Sequence, residues 1–246
     1  MPSCQVHAPR LFLEAPLAPG AQVACTPEQA NYLLNVLRLA PEASILVFNG
    51  RDGEWRARLV GVGKRRCALA CVEQTRAQQT GPDIHYLFAP LKHARLDYMV
   101  QKATEMGVAR LQPVLTRRTI ATRVNDARMR ANAIEAAEQC GILWVPEVAA
   151  PERLVTLLEA WDGDRALIFC DEAADVASPL AALSQLERRP LAVLVGPEGG
   201  FDPAEQALLR GKSFALPISL GPRVMRADTA AVAALALVNA VLGDWR

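Results

Sequence analysis

An apolar pentapeptide, LAVLV at residues 191–195, runs directly into the glycine-rich sequence GPEGGFDP at residues 196–203. Five consecutive apolar residues bounded by turn-forming residues are typical of a parallel strand that is buried on both faces. Asp202 followed by Pro203 is a favourable N-cap and first-turn pair, so we expect a helix to begin there. The stretch therefore predicts one strand–loop–helix unit of an α/β fold.

The same alternation extends to both sides of this unit. Further strands are predicted at 84–89, 110–115, 166–170 and 214–218. Helices are predicted at 95–106, 126–140, 179–186 and 203–209, with a final helix that ends at Leu242. Repeated βα units of this size predict a parallel sheet covered by helices on both faces. Ligands of such sheets bind beyond the carboxyl ends of strands, which selects the loops 171–174, 196–202 and 220–229.

The first 76 residues follow a different pattern. Two β-rich runs at 44–48 and 54–60 flank the turn sequence NGRDG and predict a hairpin. Another strand is predicted at 65–72 and one helix at 27–39, which together suggest a small β-barrel. The aperiodic polar stretch 73–83 ends in Gly-Pro and predicts the domain boundary. We therefore expect a first domain at residues 1–76 and a second at 77–246.

Composition narrows the class of protein. Hydrophobic residues make up 51% of the 246 residues and charged residues 22%, which excludes a disordered chain. No apolar stretch approaches the roughly 18 residues that a membrane span requires, and the first five residues lack a signal-peptide pattern. The six cysteines form no C-x-x-C pair, so we expect reduced structural thiols and no metal site. A soluble cytosolic protein is the expectation.

The net charge of +1 conceals a strong asymmetry along the chain. Residues 1–76 hold nine Lys/Arg against six Asp/Glu, and residues 92–130 hold nine against three. Residues 131–190 hold four against eleven. Basic segments attract polyanions such as nucleic acid, but the same charges scattered over solvated faces would need no partner. Charge alone leaves both alternatives open.

The two later loops carry the candidate chemistry. The glycines of loop 196–202 allow backbone to approach a ligand closely, although a tight turn without a ligand explains them equally well. The loop lacks the Lys and Ser/Thr of a Walker nucleotide loop. Arg223 and Arg226 precede a helix N-terminus, where the helix dipole disfavours cations, so we expect them to grip an anion or a nucleotide. A structural Arg–Asp pair is the alternative. The helix behind, 230–238, is apolar all round, which indicates burial in the core or in a subunit contact.

These two loops together resemble a known family. LVGPEGG at 194–200, followed by LGPRVMRADTA at 220–230, resembles the paired signature of SPOUT-class RNA methyltransferases. The fuller pattern resembles the RsmE family, which methylates N3 of a uridine in small-subunit ribosomal RNA. VLRL at 36–39, QKATEMGV at 101–108 and AEQCG at 137–141 support the match. The competing classes are a non-catalytic RNA-binding protein and an α/β enzyme that acts on a small anionic metabolite.

The resemblance implies a fold and a cofactor. The N-terminal barrel would be PUA-like and help to hold RNA, and the C-terminal α/β domain would contain a trefoil knot, an exception to the usual absence of knots. S-adenosylmethionine would lie in the knot, held largely by backbone groups of the two loops. The protein would be a homodimer with the site near the interface. The cofactor-binding residues would be Gly196, Glu198, Gly199, Gly200, Leu220, Gly221, Val224, Met225 and Ala230.

Methyl transfer from a sulfonium is a direct displacement, so the enzyme must align the uridine nitrogen and favour loss of its proton. A guanidinium near the uracil oxygens would stabilise the developing anion, with Arg226 as the first candidate and Arg223 as the second. Glu198 or Asp228 would accept the proton through water or orient an arginine. Asp228 stands where the family usually has Glu, and Ile142 stands where it often has Arg.

RNA contacts are expected from basic residues of both domains, which would make binding salt-dependent. The target base must be unpaired or flipped, because N3 lies within a Watson–Crick pair. The candidate RNA-binding residues are Arg10, Arg38, Arg56, Arg58, Lys64, Arg65, Arg66, Lys92, Arg95, Arg117, Arg118 and Arg123.

Overall fold

The computed structural model describes residues 8–121, 123–174 and 178–245, with the backbone alone at His93. Cys4, which we expected to be a structural thiol, lies outside these residues. The chain divides into two units. The first comprises Met1–Thr80 and Ala137–Trp144, and the second comprises Gly81–Ala136 and Val145–Arg246.

The first unit is built on a five-stranded sheet with the order β1-β3-β4-β5-β2. Its strands are β1 (Arg10–Phe12), β2 (Gln22–Ala24), β3 (Ser44–Phe48), β4 (Glu54–Val60) and β5 (Ala68–Arg76). Only β1 and β3 pair in parallel. The predicted hairpin is confirmed as β3–β4. Trp55, Ala57 and Leu59 are buried while Arg56 and Arg58 are exposed, so this strand has one basic face and one core face.

Strand β5 begins and ends later than the predicted 65–72. Residues 73–76, predicted to begin the interdomain linker, belong to the sheet because they pair with β4: Gln74 lies opposite Trp55 and Arg76 opposite Glu54. Residues 64–66 form a turn, in which the N–H of Gly63 donates to the carbonyl of Arg66 at 2.9 Å. The polar composition of residues 73–76 therefore gave no indication that they pair with β4.

The predicted helix at 27–39 is α-helical only at its start, as α1 (Pro27–Asn31). It continues as a π-helical turn, Tyr32–Val36, and Arg38 follows with φ of +53°. A non-glycine residue in the left-handed region is uncommon and ends the helical path there. The strands β1 and β2 were not predicted, since three residues are too few to show a period.

The second unit is a parallel sheet with helices. Its strands are β6 (Ile84–Phe88), β7 (Arg110–Leu115), β8 (Glu147–Val148), β9 (Glu152–Arg153), β10 (Ala166–Cys170), β11 (Leu191–Val195) and β12 (Ala215–Ile218). Its helices are α2 (His93–Glu105), α3 (Asp126–Cys140), α4 (Leu154–Glu159), α5 (Pro179–Leu183), α6 (Pro203–Arg210) and α7 (Ala227–Val241). The last residues of α3 group with the first unit. Among the elements described for this second unit, only the short β8, β9 and α4 were not predicted.

The strand order β12-β10-β11-β6-β7-β8, with β9 also paired to β7, is parallel throughout. The α/β class and the parallel sheet are thus confirmed, while the knot stays a prediction. All five residues of β11 are buried, as its apolar run indicated. Because β10, β11 and β12 are parallel neighbours, the three loops that follow them meet at one edge of the sheet.

Helix α7 closes the core behind these loops. Ala230, Ala234, Leu235 and Val238 are buried on one face, whereas the opposite face, with Val232, Ala233 and Ala236, is only half-buried. The apolar sequence of this helix therefore covers a core face and a second face that retains access to solvent. No helix among the described residues has both the length and the apolar character needed to cross a membrane.

Candidate active site

A cleft of about 110 Å³ lies between the loops that follow β10, β11 and β12. Eight of the nine predicted cofactor residues line it, and Gly199 is the exception. Asp171, Glu172, Phe201 and Gln206 also line it, although none of them was predicted as a site residue. The loop 171–174 had been selected by its position after a strand. No pattern in the sequence indicated Gln206 as a site residue, because its contribution depends on how α6 is oriented over the cleft.

The loop after β11 has little steric freedom. A Cβ at Gly196 would approach the ring of buried Phe201 to 3.0 Å, and Gly200 has a φ of +68°. Asp202 caps α6 by accepting from the N–H of Ala204 at 3.0 Å, while Glu205 Oε2 accepts from the N–H of Asp202 at 3.1 Å. This reciprocal capping box fixes where the loop ends and the helix begins.

The four predicted catalytic residues separate into two pairs. Glu198 and Arg223 line the cleft, whereas Arg226 and Asp228 do not. Arg226 is exposed at the N-cap of α7, and the Asp228 side chain, in the first turn, is 17% exposed. In the sequence, Arg226 lies directly between two residues that line the cleft, Met225 and Ala227.

Arg95, at the start of α2, contacts acidic residues of both signature loops. Its Nη1 forms an ion pair with Glu198 Oε1, and its Nε lies 4.0 Å from Asp228 Oδ2. Arg95 was predicted to bind RNA. The observed geometry gives this guanidinium a second role, since one cation links the loop after β11 to the first turn of α7.

Arg117 and Arg118, which follow β7, also contact the loop after β11. Arg118 Nη1 donates to the carbonyl of Gly199 at 2.7 Å, and Arg117 Nη1 donates to Asp202 Oδ1 at 3.0 Å. The backbone N–H of Arg117 donates to buried Glu205 at 2.8 Å. The loop is therefore supported at its middle and at its end.

The remaining wall of the cleft is fixed by a buried carboxylate. Asp171 is 2% exposed and accepts from Arg210 Nε at 2.8 Å and from the N–H of Ala173 at 3.0 Å. Its neighbour Cys170 is half-buried, and desolvation of the thiol raises its pKa to about 12. That thiol stays protonated at neutral pH and offers no nucleophile to the cleft.

Most of the candidate RNA-binding side chains are exposed. In the first unit these are Arg38, Arg56, Arg58, Lys64, Arg65 and Arg66, and in the second Lys92, Arg117, Arg118 and Arg123. Arg56 forms a 2.6 Å ion pair with Glu73, and Arg58 lies 3.8 Å from Glu42. Exposed pairs of this kind are weak, so both arginines remain suited to phosphate binding.

Arg10 differs from the other candidates because its side chain is only 10% exposed. It donates to Glu54 Oε2 at 2.8 Å and to the carbonyls of Ala137 at 2.7 Å and Glu138 at 3.0 Å, and it lies over the ring of Phe48. Burial lowers the pKa of this guanidinium. The geometry favours a structural role within the first unit over the predicted RNA contact.

The lining of the cleft matches the chemical parts of S-adenosylmethionine. Leu220, Val224 and Met225 offer apolar surface for an adenine ring, and the carboxylates of Glu172 and Glu198 suit hydroxyl groups and positive charge. Gly200 and Gly221, both with positive φ, expose backbone that a side chain would otherwise cover. The residues present therefore fit the cofactor that the sequence motifs imply.

Comparison with known proteins agrees with this geometry. The family model for an RNA methyltransferase domain matches residues 78–239, and that for an RNA methyltransferase PUA domain matches residues 26–70. Ribosomal RNA small subunit methyltransferase E of Synechocystis sp. is 33% identical over 242 residues, covering 96% of this chain and 77% of its own. The Rickettsia conorii protein of the same name is 29% identical over 233 residues, covering 94% of each chain.

Solved structures give the same result. Ribosomal RNA small subunit methyltransferase E from Neisseria gonorrhoeae, bound to S-adenosyl methionine, has a TM-score of 0.87 and 27% identity over 98% of this chain and 100% of its own. A Legionella pneumophila protein in complex with the bound cofactor SAM has a TM-score of 0.86 and 29% identity, covering 96% and 99%. The chain belongs to the ribosomal RNA small subunit methyltransferase E family.

Proposed function

We propose that this protein transfers the methyl group of S-adenosylmethionine to N3 of a uridine in small-subunit ribosomal RNA. The observation that carries the proposal is the cleft in which the two signature loops meet, lined by eight of the nine residues that the motifs assign to the cofactor. The relatives with bound S-adenosyl methionine support the choice of methyl donor. Because ribosomal RNA is the substrate, we infer a cytoplasmic location.

The cofactor supplies an electrophilic methyl group on a positively charged sulfur. The chain's own contribution is binding and orientation: the apolar residues after β12 would hold the adenine, and Glu172 and Glu198 would accept hydrogen bonds from hydroxyl or amino groups. Holding the uridine nitrogen in line with the methyl group is worth several kcal/mol, of the order of 7–11 kcal/mol in favourable cases.

Arginine is the residue type that stabilises the uridine anion formed as N3 loses its proton. Arg226 is our first choice, since it is exposed and makes no side-chain hydrogen bond to any described residue. Arg223, a lining residue, is the second. Glu198 is already paired with Arg95, which favours an orienting role for this carboxylate and leaves Asp228 as the candidate proton acceptor.

We further propose that the protein is a homodimer that uses the half-buried apolar face of α7. Apolar surface of this kind is favourable at a subunit contact. Sedimentation equilibrium with the variant Val232→Glu tests the assignment: the wild type is expected to be a dimer and the variant a monomer. A wild-type monomer would contradict it.

The central experiment incubates the protein with methyl-labelled S-adenosylmethionine and small ribosomal subunits from cells that lack this modification. We expect label in 3-methyluridine after digestion to nucleosides. Arg226→Ala is expected to retain cofactor binding in calorimetry and to lose transfer, whereas Arg189→Gln, an exposed arginine before β11, should behave as wild type. Equal loss of binding and transfer in Arg226→Ala would contradict its catalytic role. Label in another nucleoside would contradict the uridine assignment.

A further inference from the structure

The residues Thr116–Thr119 form a closed turn, here called the arginine turn. The N–H of Thr116 donates to the hydroxyl of Thr119 at 2.9 Å, and the N–H of Thr119 donates to the carbonyl of Thr116 at 3.1 Å. The two central residues are Arg117 and Arg118, both exposed. The turn therefore presents two adjacent guanidinium groups on a short, internally bonded segment.

Each of these guanidinium groups uses a single nitrogen to support the loop after β11. Arg118 reaches the carbonyl of Gly199, and its Cδ would lie 3.7 Å from a Cβ at that glycine. Arg117 reaches Asp202. A guanidinium carries five N–H donors, and Arg118 makes no other side-chain hydrogen bond to a described residue. Donors therefore remain for a second partner.

A phosphate is the partner that suits two neighbouring exposed arginines, because the planar guanidinium matches phosphate oxygens. We propose that the arginine turn couples RNA binding to cofactor binding. Some of its guanidinium N–H groups support the loop after β11, and the others hold a phosphate of the RNA backbone. This inference rests on the proposed function and extends it, since it gives two predicted RNA-binding residues a second partner in the loop after β11, other residues of which line the cofactor cleft.

The coupling has a definite sign. An exposed arginine loses side-chain entropy when it is held in one conformation. When a bound phosphate already holds Arg118 in one conformation, this entropy has been lost before the arginine donates to the carbonyl of Gly199. That hydrogen bond therefore becomes more favourable. The cofactor then binds a loop that is better ordered. RNA is therefore expected to strengthen cofactor binding, and by linkage the cofactor strengthens RNA binding by the same factor.

The test measures the Kd for S-adenosylmethionine by calorimetry, with and without a saturating transcript of small-subunit ribosomal RNA. For the wild type we expect RNA to lower this Kd at least about fivefold, the lower end of typical couplings. Arg118→Gln should raise the Kd measured without RNA and should abolish the effect of RNA. Arg118→Lys, which keeps one charged donor group, should recover part of both. Arg189→Gln is the matched control for loss of one exposed positive charge and should retain the full coupling.

The outcomes separate this inference from the proposed function. If the wild type binds both ligands and transfers methyl groups but shows no coupling, the inference fails while the function stands. Full coupling in Arg118→Gln, with an unchanged thermal midpoint, also overturns it. No binding of S-adenosylmethionine by the wild type in either condition would overturn the function itself. Coupling in the wild type that is lost in Arg118→Gln and retained in Arg189→Gln would support the inference.

Discussion

Arg10 and Glu54 form an ion pair of 2.8 Å in which both side chains are nearly excluded from solvent, at 10% and 6% exposure. Arg76 adds a second guanidinium to the same carboxylate, also at 2.8 Å. The three residues join β1, β4 and β5, and Arg10 and Arg76 also donate to carbonyls of the segment 137–144. This cluster explains why the end of α3 and the residues that follow it group with the first unit.

We expect Glu54→Ala to reduce the free energy of unfolding by about 3–5 kcal/mol, because it leaves a buried guanidinium without its counter-charge. Chemical denaturation measures the effect. The control is Glu73→Ala, which removes the exposed partner of Arg56 and should cost less than about 1 kcal/mol. Similar losses in the two variants would show that burial of the Arg10–Glu54 pair has no special importance.

Because of the same carboxylate, Glu54, we expect the stability of the first unit to depend on pH in the acid range. Burial raises the pKa of Glu54, but the hydrogen bonds from Arg76 and Arg10 outweigh it and leave this pKa below its ordinary value. The contribution of the pair is therefore present above the unfolded pKa of about 4.3 and is lost as pH falls through the lower folded pKa. Denaturation between pH 6 and pH 3 should show a steeper loss in the wild type than in Glu54→Gln. Parallel curves would contradict this assignment.

His85 predicts a second pH dependence with a different window. Burial, reinforced by the nearby Arg165, lowers the pKa of His85 to about 4, so the imidazole is neutral in the folded protein at neutral pH. The unfolded chain takes up this proton near pH 6.5, hence stability should fall between pH 6.5 and about 4, by up to about 1.4 kcal/mol per pH unit. His85→Gln should flatten this part of the curve. An unchanged slope would show that other groups dominate.

Gly196 and Gly199 should respond differently to the same substitution. A Cβ at Gly196 meets the ring of buried Phe201 at 3.0 Å, whereas one at Gly199 meets only the Arg118 side chain at 3.7 Å. We expect Gly196→Ala to cost about 1–3 kcal/mol of stability, as overpacking does, and Gly199→Ala to cost less than 1 kcal/mol. Thermal midpoints measure the difference. The opposite ranking would contradict the packing described for this loop.

Local patterns in the sequence determined the main elements of the second unit. The apolar run 191–195 is the buried central strand, Asp202 and Pro203 begin α6, and Gly107 ends α2 with φ of +80°. Each of these features depends on a pattern of apolar residues or on the conformational preference of one or two residues. Both can be recognised in the sequence alone. The position of the cleft followed from the same patterns, because parallel strands place their carboxyl ends together.

Only the tertiary structure decided the partners of the charged residues. Arg10, Arg95, Arg117 and Arg118 are all basic and were expected to contact RNA, yet Arg10 is buried against Glu54 and the other three contact residues of the signature loops. A charge in a sequence carries no record of its distance from an opposite charge. Arg10 and Glu54 are separated by 44 residues and Arg95 and Glu198 by 103, and folding alone brings them together.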